Sequence, residues 1–223
     1  MTDNKLIEVA FVLDRSGSMA GKEEDIIGGF NSMIEKYQNE ETEALVTTVL
    51  FDDRITMLHD RIPMSKVTTM TDEEYYVGGC TALLDAAGYT VEHISEIHKY
   101  IERMPLKTFI IVMTDGYENA SKKFTKEKLC SLVKLKEEND GWEFIFVGAD
   151  IDAFAESNNV GIRSQRAVRF SKTDDNLGDA FEATGEMMFC IAPRFQDCCV
   201  SDEAVEDVYR RVRDERKKNG KKD

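Results

Sequence analysis

The sequence predicts a doubly wound α/β fold: a mostly parallel central sheet with one antiparallel edge strand and helices on both faces. Three observations carry this. Short, nearly continuous apolar runs recur at 6–13, 45–51, 108–113 and 144–147, the pattern of strands buried on both faces. Helical stretches of 12 or more residues separate them. Three of the runs end in polar segments, at 14–18, 114–116 and 148–150, where such folds gather ligands.

Taken in order, Leu6–Leu13 (LIEVAFVL) is the first strand, and Asp14-Arg15-Ser16-Gly17-Ser18 is the polar turn that ends it. A helix follows around Glu24–Gln38, with Ile26, Ile27, Phe30, Met33, Ile34 and Tyr37 on one stripe. Leu45–Phe51 is the second strand, and Asp52–Asp53 turn the chain into Arg54–His59, the antiparallel edge strand. A polar stretch through Glu74 leads to Gly78-Gly79-Cys80-Thr81 and a helix from about Ala82 to Met104, stopped by Pro105. Thr108–Met113 is a strand ending in Thr114-Asp115-Gly116, and Thr125–Glu138 a helix with Thr125 in a cap-like position. Phe144–Val147 is a further strand, with Trp142 packing its start. Ile151–Asn158 reads as a short helix, Ala167–Phe170 as a last strand, and Asn176–Ile191 and Ala204–Lys217 as helices. With no repeat, no low-complexity segment and only three prolines, one domain is expected over 1–223, its core at about 5–170 and the C-terminal helices and basic tail at 171–223.

The formal net charge is −14, from 43 acidic and 29 basic residues, which argues against nucleic acid as a partner because phosphate binding needs a concentrated basic surface. The one basic concentration, Arg210–Lys222, reads as a solvated helix end, with a docking strip for an acidic partner as the alternative. No apolar run approaches the roughly 20 residues of a membrane helix. Asp14 and Arg15 follow the first apolar run at once, unlike a secretory leader. The five cysteines have no zinc spacing and read as reduced thiols. Together these features predict a cytoplasmic protein that engages no membrane; they leave its oligomeric state open.

The chemistry concentrates in Asp14-x-Ser16-x-Ser18. Alternate residues of an extended turn can face one centre, and one carboxylate with two hydroxyls makes a hard, oxygen-only half-shell. That set suits Mg²⁺ first, with Mn²⁺ or Ca²⁺ as alternatives, over zinc or copper. Thr81 can add a third hydroxyl and Asp115 a second carboxylate. Taken alone, the turn could equally cap a helix, with Ser16 or Ser18 bonding free backbone N–H groups.

DRSGS, then GGCTALLD, then TDG, each beside its expected strand or helix, resemble the von Willebrand factor type A (vWA) domain family, with its Rossmann-like fold. The resemblance covers about residues 5–170. It implies a metal-ion-dependent adhesion site (MIDAS) built from Asp14, Ser16, Ser18, Thr81 and Asp115. It further implies direct ligation by Ser16 and Ser18, ligation partly through water by the two aspartates, and either mode for Thr81. Cys80 departs from the Gly-Gly-Thr or Gly-x-Thr often found there. Single-domain cytoplasmic members of prokaryotic type work with partner proteins, so the resemblance implies a binding module whose metal accepts an acidic side chain.

Two rival functions share these residues. A Mg²⁺-dependent hydrolase resembling haloacid-dehalogenase-type phosphatases would need an acid at position 16, where a serine hydroxyl has far too high a pKa to serve. No Ser/His/Asp arrangement compensates, so no catalytic residue is assigned and a non-enzyme is expected. The other rival is a scaffold whose metal only stiffens the loops. Among neighbouring residues, Asp150 reads as a loop cap, Asp85 as a first-turn acid favoured by the helix dipole, and Arg15 as a solvated turn residue. His59, His93 and His98 share no metal spacing and read as surface residues.

Overall fold

The computed structural model describes residues 6–39, 43–149, 153–163, 166–170, 177–191 and 200–219. In chain order the strands are β1 (Ile7–Asp14), β2 (Ala44–Phe51), β3 (Ile55–Pro63), β4 (Lys107–Thr114), β5 (Glu143–Ala149) and β6 (Ala167–Phe170). They form one sheet in the order β3-β2-β1-β4-β5-β6. Every pairing is parallel except that of β3, which runs antiparallel on the β2 edge. The helices are α1 (Glu23–Tyr37), α2 (Leu83–His98), α3 (Lys126–Asp140), α4 (Ala153–Asn159), α5 (Leu177–Glu186), which runs on into a π-helical turn at Met187–Ile191, and α6 (Asp202–Asn219). This is the predicted mostly parallel sheet with one antiparallel edge.

All eight residues of β1 are buried because the strand serves two cores. Ile7, Val9, Phe11 and Leu13 share one core with Phe30 and Tyr37 of α1 and Phe181 of α5. Ala10 and Val12 share the other with Leu83, Val91 and Ile94 of α2 and Val133 of α3. The period-2 alternation of side chains sends successive residues to opposite faces. Each fully buried Val, Leu, Ile or Phe contributes roughly 1.5–3 kcal/mol. α1 carries Glu23, Glu24 and Asp25 in its first turn and Lys36 in its last, which complements the helix dipole at both ends.

Several boundaries differ from the sequence reading. The expected helix over 82–104 ends at His98, where Lys99 and Tyr100 bond back three residues in a tightened last turn. The chain must then return to the sheet, and the Leu106 N–H already donates to Leu6 O at 2.7 Å. β3 continues past His59 to Pro63 through a register shift against β2. In this stretch Arg61 adopts φ 48°, rare for a non-glycine residue. Its guanidinium is thereby engaged with Glu8, a fully buried acid within β1, with Nε 2.5 Å from Oε1. His98 Nε2 meets the other Glu8 oxygen at 2.6 Å.

The histidines are not uniformly surface residues. His59 is 6% exposed, its ring stacked on Phe30 and its nitrogens within reach of the Thr48 and Thr68 hydroxyls. Burial holds its imidazole below the usual histidine range. The His98 side chain is 8% exposed and meets Trp142 edge to face. Only His93, paired with Asp60, lies toward solvent. Trp142 is buried at the start of β5. The basic stretch begins inside α6, where Arg211 pairs with Glu186 of α5. Residues 220–223 lie outside the described residues, as do Asp150 and Cys198–Cys199.

Candidate metal centre

The site begins with strand register. Leu13 of β1 is paired with Met113 of β4, so the next residues, Asp14 and Thr114, lie side by side where both strands end. The Thr114 hydroxyl donates to Asp14 Oδ2 at 2.5 Å, and the Ser16 backbone N–H donates to Oδ1 at 2.7 Å. Asp14 has no solvent exposure. Burial pushes its carboxyl above the usual range, and the Thr114 and Ser16 donors pull the other way. The buried Tyr75 hydroxyl donates to the Asp14 carbonyl and fixes the backbone at this corner.

After Asp14 the chain turns through Ser16 and a short 3₁₀ segment, Gly17–Met19. Ser16 Oγ and Ser18 Oγ are 3.1 Å apart. The Thr81 hydroxyl donates to Ser16 Oγ at 2.9 Å, which brings the second loop onto the first. Two backbone bonds join these loops: Gly78 N–H to Arg15 O at 2.9 Å, and Gly17 N–H to Gly79 O at 3.2 Å. Gly79 sits at φ 73° with its missing Cβ against Asp52 and Asp53, so a side chain would be strained and obstructed. Cys80 is exposed, and the Thr81 hydroxyl beside it still reaches Ser16. The cysteine at position 80 therefore leaves Thr81 in place.

The segment after β4 closes the cluster. A Cβ on Gly116 would lie 2.8 Å from both Ser18 Oγ and Thr81 Oγ1 and 3.3 Å from Asp14 Oδ2. Three oxygens from two segments, the 14–18 turn and the Thr81 loop, thus converge on one point beside the third. Asp115, the preceding residue, has a side chain only 2% exposed; its Oδ2 accepts the Lys22 ammonium. Its Oδ1 is buried with no hydrogen-bond partner among the described residues. Among the described residues no three His, Cys, Asp or Glu side chains cluster as a metal site, so any cation here would rely on hydroxyls. The donor set, two carboxylates and three hydroxyls, fits a hard divalent cation, and the unpartnered Asp115 oxygen is a ligand atom already desolvated.

The structure brings Asp14, Ser16, Ser18 and Thr81 into one network, and sets Asp115 beside it through Gly116. Neighbouring residues have roles other than those expected. Arg15 is 3% exposed, not solvated: Nε binds Asp52 Oδ2 at 3.0 Å, Nη2 reaches Thr56 Oγ1 at 3.1 Å, and the guanidinium lies 4.5 Å from the exposed Tyr76 ring. Asp85 is more than a first-turn acid. Its carboxylate accepts the N–H groups of Lys122, Lys123 and Phe124 at 2.7–2.9 Å, pinning the loop after Asp115 to the start of α2. Burial pushes its carboxyl up, but these donors win and hold it below the usual range. Asn119 and Glu118 complete that seam through the N–H groups of Thr81 and Leu84.

The residues that the sequence reading missed are Thr114, Tyr75, Gly116 and Lys22. Thr114 and Gly116 flank Asp115 within the TDG motif, so register against the first strand could have found them; Tyr75 and Lys22 carry no such signal. Because Gly116 leaves the central space clear, Gly116→Ala is expected to weaken Mn²⁺ binding at least about tenfold while costing no more than about 1–3 kcal/mol of stability. Titration calorimetry against Mn²⁺, alongside a thermal melt in chelator, checks both.

No protein-family model matches the sequence, and neither does any curated protein sequence. Solved structures do match. The vWF domain of the type V pili tip protein Mfa5 from Porphyromonas gingivalis superposes with a TM-score of 0.58 at 12% identity, over 82% of this chain and 94% of that one. Proximal thread matrix protein 1 from the mussel byssus, in a structure with a zinc occupied MIDAS motif, gives 0.54 at 16% identity, over 80% and 46%. A von Willebrand factor type A protein from Catenulispora acidiphila gives 0.56 at 12% identity, over 82% and 42%. The chain thus spans nearly all of the pilus-tip domain but less than half of the other two. Likeness at these identities establishes architecture alone, and that architecture is the von Willebrand factor type A fold.

Proposed function

We propose that this chain is a member of the vWA family acting as a metal-ion-dependent protein-binding module, one domain throughout, with no catalytic role. The observation that carries the reading is the convergence of Asp14, Ser18 and Thr81 oxygens on one point beside a buried, unpartnered Asp115 oxygen. Asp14, Ser16, Ser18, Thr81 and Asp115 would hold the cation, with Mg²⁺ the first choice for an all-oxygen set. A divalent cation bound there supplies an open coordination position for a carboxylate oxygen of a partner protein. That the mussel protein, of the same fold, has a zinc occupied MIDAS motif supports the reading that this chain holds a metal.

A docking role is favoured over hydrolysis because the residues around Asp14 serve to hold, not to move protons. Ser16 occupies the position where a general acid would be needed, and its hydroxyl is engaged by Thr81. Cytoplasmic placement is part of the proposal and rests on free thiols at Cys80 and Cys130. The fold itself is neutral on compartment, since Mfa5 is a pili tip protein. Among the described residues no helix is long and apolar enough to cross a membrane.

The reading is tested by capturing partners on immobilised chain in Mg²⁺ and eluting with EDTA. A protein released by EDTA, and absent from an Asp14→Ala column, is the expected result. Partners that stay bound in EDTA and bind the variant equally well would sink the reading.

A further inference from the structure

The two carboxylates of the site are served very differently. Asp14 is satisfied by neutral dipoles, the Thr114 hydroxyl and the Ser16 N–H. Asp115 instead holds a full positive charge: the Lys22 ammonium sits on Oδ2, with the lysine side chain 16% exposed and the aspartate 2%. Lys22 is the residue immediately before α1, and it is anchored by its own backbone. Its N–H donates to Met19 O at 3.1 Å and its carbonyl accepts Ile26 N–H at 3.0 Å. The turn that carries Ser16 and Ser18 therefore also fixes the root of the lysine.

We propose that Lys22 is a built-in occupant of the metal centre, whose ammonium neutralises Asp115 until a divalent cation displaces it. The proposal rests on the metal-binding reading above. A carboxylate at 2% exposure needs a counter-charge in the metal-free chain, and Lys22 supplies it. A doubly charged cation on the unpartnered Oδ1 would face the ammonium across one carboxyl group, and like charges so close repel strongly in a partly buried setting. The flexible four-carbon stem lets the ammonium swing toward water once a metal takes its place. Metal entry then becomes an exchange of cations, and Lys22 lowers the affinity of the site while stabilising its empty form. A device of this kind keeps the loops ordered without metal and makes partner docking depend on the free divalent concentration.

The test compares the wild type with Lys22→Met, which keeps the length of the stem and removes the charge, and with Lys22→Arg, which keeps the charge. Mn²⁺ is the probe, titrated calorimetrically, and melting is followed in EDTA and in saturating Mn²⁺. The expected result is Mn²⁺ binding at least about tenfold tighter in Lys22→Met, and within about threefold of wild type in Lys22→Arg. Lys22→Met is further expected to melt below wild type in EDTA and to close that gap when Mn²⁺ saturates. Equal or weaker Mn²⁺ binding in Lys22→Met, with measurable binding in wild type, overturns the role of Lys22 and leaves the metal site standing. An equal loss of stability in EDTA and in Mn²⁺ marks a merely structural lysine and overturns it too. Absence of Mn²⁺ binding in all three proteins overturns the metal reading itself, and the exchange with it. Binding in Lys22→Met alone supports the proposal in its strongest form.

Discussion

Replacing Asp14 by asparagine is expected to abolish the rise in melting temperature that Mg²⁺ confers, while leaving the metal-free protein close to wild type. Ligand present at a hundred times its Kd stabilises the folded state by about 2.7 kcal/mol. For a chain of this size each kcal/mol moves Tm by roughly 2–4 °C, so the wild type should gain roughly 5–11 °C. Asparagine keeps one oxygen to accept from the Ser16 N–H, and its amide N–H can donate to the Thr114 hydroxyl, which turns its own proton toward Gly116 O at 3.3 Å. It removes the charge, and a buried carboxylate already pushed toward its neutral form by desolvation loses little when neutralised. Alanine would confound this, because both donors would be left without an acceptor at about 1–3 kcal/mol each. A scanning melt of both proteins in EDTA and in excess Mg²⁺ gives the answer. An undiminished Mg²⁺ shift in Asp14→Asn would place the metal elsewhere.

The sheet was legible because its strands obey a simple rule. Residues 109–113 and 144–147 are apolar at every position, and only a strand covered on both faces needs that. The donor set was legible for a related reason: Asp14 and Asp115 each follow such a strand, and adjacent strands of a parallel sheet bring their ends together. Here the strand order puts β1 and β4 side by side. What sequence could not supply was pairing between charges. Glu8 interrupts an apolar run, and nothing local says that Arg61 and His98, far along the chain, will meet it. Arg15 reads as a turn residue until the fold brings Asp52 and Thr56 around it. Lys22 is an ordinary charge before a helix, and only the turn at 16–19 aims it at Asp115. Helix ends were missed where a tertiary contact ended the helix. Pro105 suggested a stop six residues too late, because Leu106 must already pair with Leu6.

The largest stability effect is expected at Arg166, at the end of the sheet remote from the metal centre. Arg166 is 1% exposed and joins three elements. Its Nε donates to Asp202 Oδ1 at 2.8 Å in the first residue of α6, and its Nη2 donates to the Val200 carbonyl. Its Nη1 stands 3.0 Å from Glu143 Oε2 without the alignment of a hydrogen bond. Glu143 opens β5 at 2% exposure and accepts the Val200 N–H at 2.7 Å; Lys107 lies farther away, at 3.9 Å. Burial pushes the Glu143 carboxyl up and Arg166 opposes that push. In Arg166→Met the buried carboxylate is left with the Val200 N–H and the longer Lys107 contact, and the Val200 carbonyl loses its donor. Removing one member of a buried pair costs about 3–5 kcal/mol, which here lowers Tm by roughly 6–20 °C. Replacing both members by apolar residues is often nearly neutral, so Glu143→Leu with Arg166→Met should recover much of the loss, a coupling that a melt-based double-mutant cycle measures. Since Val200 and Asp202 lead directly into α6, amide exchange should show that helix losing protection in Arg166→Met before the sheet does. Additive losses with α6 and the sheet opening together would mean that Arg166 merely fills space.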